Sequence, residues 1–264
     1  MLRSFTVGVF LALSLNALAI AAPPSYTVID LGVHESGEGL PWQGIAGHPA
    51  QGGFPVPSGG SGTIYASNNV ATVGTVTRPG YETDPALWTV NSAGNVVLTN
   101  LGIPLGGSGT GEPPFAAAYG ANRAGDVVGI SDAPYTVANP ASTQSVQHAF
   151  LWSNGTVKDL STIAGLDYFS EAEGMNDSRE IVGWTNTISS VTGGVLQRAF
   201  IYVEGTMYNL TFYLVGGPTV LLSDATAINC QGNISAIGTP ASDSSGIVHD
   251  YLLVRQGAQR VCTH

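Results

Sequence analysis

The sequence predicts an all-β repeat protein: four units of about fifty-three residues, each of four short strands, arranged as a small β-propeller with an N-terminal closing strand. Three observations lead there. Asn69, Asn122, Asn176 and Asn229 end similar tetrapeptides at spacings of 53, 54 and 53 residues. Within each unit, short apolar runs alternate with turn residues, and no window carries the three-four spacing of a helix. One further strand-like piece, Tyr26 to Gly32, stands ahead of the first unit. An open β-solenoid or a stacked sandwich shares the period and stays open at this point.

The second copy shows the elements in order. Strand a ends at Asn122, and Arg123 to Asp126 turns into strand b at Val127 to Ile130. Strand c is Ala149 to Trp152, and Ser153-Asn154-Gly155 turns into strand d, Thr156 to Leu160, Asn-Gly being a strong hairpin signal. The third copy repeats this with Ile181 to Trp184, Ala199 to Tyr202 and Thr206 to Leu210; the first has Ala71 to Val76, Ala86 to Trp88 and Val96 to Leu101. The fourth has Ile234 to Ile237, Tyr251 to Val254 and a degenerate last strand ending near Cys262. Tyr26-Thr-Val-Ile-Asp30-Leu31 matches strand d, as in Thr156-Val-Lys-Asp159-Leu160, and an orphan outer strand is what a ring of blades uses to close. The units run at about 64–116, 117–170, 171–223 and 224–264, within one domain from 22 to 264.

Residues 1–21 read as an export signal, with Arg3, an apolar core from Val7 to Leu15, and cleavage near Ala21-Ala22, so the expected location is secreted or periplasmic. No later run is apolar for long enough to span a bilayer as a helix. Removing the signal leaves 7 basic against 18 acidic residues, a formal charge of −11, with Lys158 the single lysine. A nucleic-acid surface needs a basic stripe, which this composition does not supply. Cys230 and Cys262, in an exported chain, are expected to bond to each other, with two buried thiols as the alternative. Strands a and d of one blade lie about 14 Å apart, so the bond requires the C-terminal tail to fold back toward the a–b turn, or a different strand order.

The pattern Asn-x-x-Gly-x-Val-Val-Gly, followed by His148-Ala149-Phe150-Leu151-Trp152 and Gly155-x-Val-x-Asp159-Leu160, resembles the bacterial extracellular repeats called the HAF family. The resemblance covers about residues 26–262, closely in the second and third copies and loosely in the first and fourth. It implies export and a β-repeat fold, and no catalytic residues.

The a–b and c–d connections are tight, whereas the b–c and d–a connections are long and fall on one face of a meander. Loops on a rigid scaffold are where binding usually resides. That face is expected to carry Trp42, Tyr81, Tyr135, Tyr168 and Phe169, with Trp184 at the end of a b strand. These aromatics suit sugar rings or peptide side chains; the competing reading is that they pack the loops onto the scaffold. The repeated asparagines read as turn residues whose side chains bond nearby backbone.

Motifs for serine hydrolases, zinc proteases and P-loops are missing from the sequence. Glu171 and Glu173 are the weak catalytic candidates: in a strand they point the same way, and a glycosidase needs two carboxyl groups about 5–10 Å apart. Calcium on Asp84, Asp132 or Asp243 has no spaced ligand loop to support it, and no metal or cofactor is expected. The sequence therefore points to a secreted, non-catalytic binding module for a glycan or extracellular protein; a secreted glycoside hydrolase or lyase and a structural envelope protein are the alternatives.

Overall fold

The computed structural model describes residues 23–34, 48–49, 54–80, 82–107, 114–134, 145–161, 169–188, 194–243, 245–257 and 262. Strands β1 (Tyr26–Val33) and β2 (His48–Pro49) precede the first blade, which comprises β3 (Ser61–Ser67), β4 (Ala71–Thr77), β5 (Thr83–Val90) and β6 (Val96–Asn100). The second blade is β7 (Ala116–Ala121), β8 (Val127–Pro134), β9 (Ser145–Ser153) and β10 (Thr156–Asp159). The third is β11 (Ser170–Met175), β12 (Ile181–Ile188), β13 (Val195–Val203) and β14 (Thr206–Asn209), followed by a 3-10 turn at Leu210–Tyr213 and β15 (Leu214–Gly216). The fourth contains β16 (Val220–Ile228), β17 (Ile234–Pro240) and β18 (His249–Arg255). Each blade is an antiparallel meander, as the alternating runs predict, and the fold is all-β and propeller-like.

The fourth blade takes its outer strand from the other end of the chain. β1 pairs antiparallel with β18 along Tyr26 to Val33, and β15 adds to the outer edge of β1 in parallel. The sequence expects a degenerate last strand near Cys262, yet β1 fills that place. The tail instead returns to the a–b turn, where Cys262 bonds Cys230 with Cα atoms 5.4 Å apart. The strand order thus stands, and the fold-back satisfies the reach of the disulfide.

His148 explains why strands c and d carry their motif. His148 in β9 hydrogen-bonds Asp159 in β10 at 2.9 Å, next to the paired Phe150 and Asp159. The closing strand reproduces this contact, since His249 of β18 meets Asp30 of β1 at 3.0 Å. In the first blade the same positions hold Asp84 and Asn100, joined at 2.8 Å. A charge-assisted or polar bond at this spot locks the register of the outer hairpin.

Packing between blades follows from alternation along each strand. Val127 and Phe150 face the first blade, where they join Ala71, Val73 and Leu87. Val128 and Ala149 face the third, where they join Ile181, Phe200 and Tyr202. Val182, Ala199 and Ile201 continue the pattern against Leu222, Ile234 and Leu253 of the fourth blade. The outward side of the first blade differs: Trp88 packs edge-on against Phe54 at 5.8 Å, and its indole N–H donates to the Pro55 carbonyl at 2.8 Å. That fourth cluster holds Val76, Ala86 and Trp88 with Phe54 and Ile64, and no residue of the fourth blade. Three joints are therefore shared cores, and Phe54 and Pro55 cover Trp88 on the outward face of the first blade.

One glycine per blade sits where strands a and b approach most closely. A Cβ at Gly129 or Gly183 would lie 1.9 Å from the carbonyl oxygen of Ala117 or Glu171, which explains the Gly that ends the Val-Val-Gly motif.

Candidate functional site

Every inner strand carries a β-bulge at the same place. The a–b pairing skips Tyr65, Tyr119, Glu173 and Thr226, each three residues before the turn asparagine. A bulge leaves one residue unpaired and re-aims its side chain. Here the four re-aimed positions belong to the strands that surround the axis. Small residues follow each bulge, Ala66, Gly120, Gly174 and Ala227, and let the inner backbones close in: a Cβ on Gly120 would stand 3.3 Å from the Gly174 Cα, and one on Gly174 3.3 Å from the Ala227 Cα.

The ends of the four inner strands line a cavity of about 180 Å³, with Ser67, Tyr119, Glu173, Met175 and Thr226 among its walls. It opens on the face of the short a–b turns. That volume lies below the ~300–1,000 Å³ of drug-sized sites, and suits one small polar molecule or the terminal group of a longer one. Tyr119 packs edge-on against Tyr65 with ring centroids 5.0 Å apart.

The turn asparagines form the rim. Asn122 accepts from the Asp126 amide at 3.0 Å, and Asn176 from the Glu180 amide at 3.1 Å, closing each turn as expected from the sequence. They also reach across joints: Asn68 donates to the Ala121 carbonyl at 3.0 Å and Asn176 to the Asn229 carbonyl at 3.3 Å. The side chain acting in the first blade is Asn68, one position before the anchor at Asn69, because that turn is a residue shorter.

Beneath the cavity, three carboxyl groups converge. Glu171 lies in β11 opposite Trp184 and accepts hydrogen bonds from the Tyr119 hydroxyl and the Trp184 indole. Burial, and then the charge of Asp224, push its pKa up to about 7 despite those donors. Glu173 and Asp224 are hydrogen-bonded to one another, and burial raises both, with the charges of Asp224 and Glu171 adding to the rise at Glu173 and the Ala225 amide holding Asp224 back. The two carboxyl groups share a proton that the pair holds above the ordinary carboxylate range. Tyr119 is pushed above its usual range, first by burial and then by Glu171.

Asp224 was invisible to sequence reasoning. It sits five residues before Asn229, where Glu171 stands relative to Asn176, while the other two copies have Thr63 and Ala117 there. An acidic residue at one aligned position in two adjacent copies was the available signal. Glu171 and Glu173 do converge, although through the bulge at Glu173 rather than through the simple alternation of a strand.

Of the aromatic candidates for the long-loop face, Trp42, Tyr81, Tyr135 and Tyr168 lie outside the described residues. Phe169 is 38 % exposed and bridges Gln147 at the end of the blade away from the cavity. Trp184 is half-buried and belongs to the Glu171 cluster. Asp84, Asp132 and Asp243 lie on different blades, engaged respectively by Arg78, the Phe115 amide and Ser245. Among the described residues no helix is long and apolar enough to cross a membrane. Neither a protein-family model nor a curated protein matches the chain.

Proposed function

We propose that the protein is a secreted, non-catalytic binding module that takes a terminal residue of a glycan into the axial cavity. The observation that carries this reading is the convergence of three bulged side chains, Tyr119, Glu173 and Thr226, on one small cavity, with Tyr65 packed edge-on against Tyr119. An aromatic wall beside hydrogen-bonding groups is a common solution for sugar rings, because it offers wide contact with few rotamers to freeze. The small volume favours one ring over an extended chain. The resemblance to extracellular repeats and the disulfide both suit export.

A glycan array screened with the oxidised protein, read for binding and for shortened products, tests the reading. Binding without turnover is expected, with Tyr119→Ala weakening it at least tenfold and the triple change Trp42→Ala, Tyr135→Ala, Tyr168→Ala leaving it unaltered. The reverse pattern would move the site to the long-loop face, and silence on the array would overturn the glycan reading.

One observation favours a second reading, glycoside hydrolysis: Glu171, near pKa 7, has the poise of a general acid. Against it, Glu173 and Asp224 are hydrogen-bonded to one another, closer than the ~5–10 Å that the two carboxyl groups of a glycosidase keep. Turnover on the array that vanishes in Glu171→Gln would establish this alternative.

A further inference from the structure

The four blades are not tied to their neighbours equally. The second and third share the core around Val128, Ile181 and Phe200 and two arginine links, Arg179 to Asp126 at 2.7 Å and Arg123 to Asp177 at 3.5 Å. The third and fourth share the core around Ile201, Leu222 and Leu253, with Arg255 meeting Glu180 at 2.7 Å and Asn176 donating to the Asn229 carbonyl at 3.3 Å. The first and second share the core of Ala71, Leu87 and Phe150, and Asn68 donates to the Ala121 carbonyl at 3.0 Å. Among the described residues no ion pair crosses that joint, because Arg78 turns to Glu82 and Asp84 within the first blade.

The seam between the first and fourth blades is weaker still. Both blades line the axial cavity, through Ser67 and Asn68 on one side and Ala227 and Ile228 on the other. Between their described residues, however, no apolar core, hydrogen bond, ion pair or ring contact joins the two. Val76, Ala86 and Trp88 of the first blade pack with Phe54 and Ile64 instead. The sequence carries the same asymmetry. A buried acid closes the a–b turn of the second blade, Asp126, and of the third, Glu180, and each receives an arginine from the next blade. The residue that closes the turn is Asn233 in the fourth blade and Ala71 in the first, so neither joint of the first blade has the acid that this latch needs.

We propose that the first blade moves as a hinged unit, turning on the core it shares with the second blade and opening the axial cavity along its seam with the fourth. Partial openings of a folded chain follow the units with the fewest buried contacts and cross-links. Parting the second–third or third–fourth joint would leave Asp126 or Glu180, each at most 1 % exposed, without its arginine, which is the costly way to break a buried pair. Parting the seam strands no such charge, and it widens sideways a cavity of about 180 Å³. The inference concerns motion and stands apart from what the cavity binds.

Distances between paired spin labels, measured by pulsed electron resonance on the oxidised full chain, test the proposal. Labels on Val97→Cys in β6 and Leu221→Cys in β16 span the seam, and labels on Val195→Cys in β13 and Leu221→Cys span the third–fourth joint as the control; all three positions are exposed. The seam pair is expected to show two distance populations, or a distribution at least about twice as wide as that of the control. Thermal melting of each labelled protein checks the fold. If Leu221→Cys does not fold, the exposed Ile29→Cys of β1 replaces it in both pairs. A seam distribution as narrow as the control would overturn the inference, and so would equal broadening of the two pairs, which would place the motion elsewhere than at the seam.

Discussion

The joint between the third and fourth blades and the floor of the axial cavity treat the same chemical group in opposite ways. At the joint, Glu180 is fully enclosed and held by both bonds of Arg255, at 2.7 and 2.9 Å, with Asn176 donating at 2.7 Å. Beside the cavity wall at Glu173, Asp224 is enclosed, holds bonds from Glu173 and the Ala225 amide, and leaves an oxygen without a partner. The first arrangement fixes the geometry of the scaffold. The second leaves a buried acceptor uncompensated, at a cost to the stability of the fold.

Arg255→Ala is expected to sharpen the contrast most. It leaves Glu180 buried without a cation, and should lower unfolding stability by about 3–5 kcal/mol in urea titration. The exposed pair Arg123–Asp177, 3.5 Å apart, provides the control, with Arg123→Ala changing stability by no more than about 0.5 kcal/mol. Equal losses from the two substitutions would remove the distinction between structural and surface pairs. Reducing the Cys230–Cys262 bond, which closes 32 residues of sequence, should cost about 3–4 kcal/mol by loop entropy without altering ligand affinity, since the bond lies outside the cavity wall.

The smallest expected effect is on pH dependence. Burial raises the carboxyl groups of the floor above their unfolded values, so the folded chain holds protons that the unfolded chain has already lost. Their contribution is fully present below about pH 4 and is lost as pH climbs, for Glu171 through about 7. Glu171 alone should account for a fall in unfolding stability of about 2 kcal/mol between pH 5 and 8. Glu171→Gln should flatten the slope, and a flat or rising profile in the parent protein would contradict the assignment.

Much of the scaffold was legible because its devices repeat. The four-strand unit, the tight a–b and c–d turns and the role of Tyr26–Asp30 as a strand d follow from recurring residues, and the His249–Asp30 contact shows why Asp30 sits where Asp159 does. The site was less legible. Bulges at Tyr65, Tyr119, Glu173 and Thr226 depend on which residues the neighbouring strand pairs, a relation that periodicity along one strand does not encode. Asp224 falls in the most divergent copy, and its meaning appears only when the fourth inner strand is brought beside the third.

The outer strand of the last blade carries a kinetic consequence. Asp30 and His249 stand 219 residues apart, so the blade that contains them is completed only after the whole intervening chain is available. Until then β1 presents an open edge, and Tyr26 and Val28 lack their neighbours Leu253 and Tyr251. Extending the closed loop adds little entropy, about 0.6 kcal/mol per doubling, yet pairings this distant in sequence form slowly. In a polypeptide threaded through a membrane from its N-terminus, the earliest strand to emerge would wait longest for its partner, exposed to proteases and to pairing with a second copy until the ring is drawn shut.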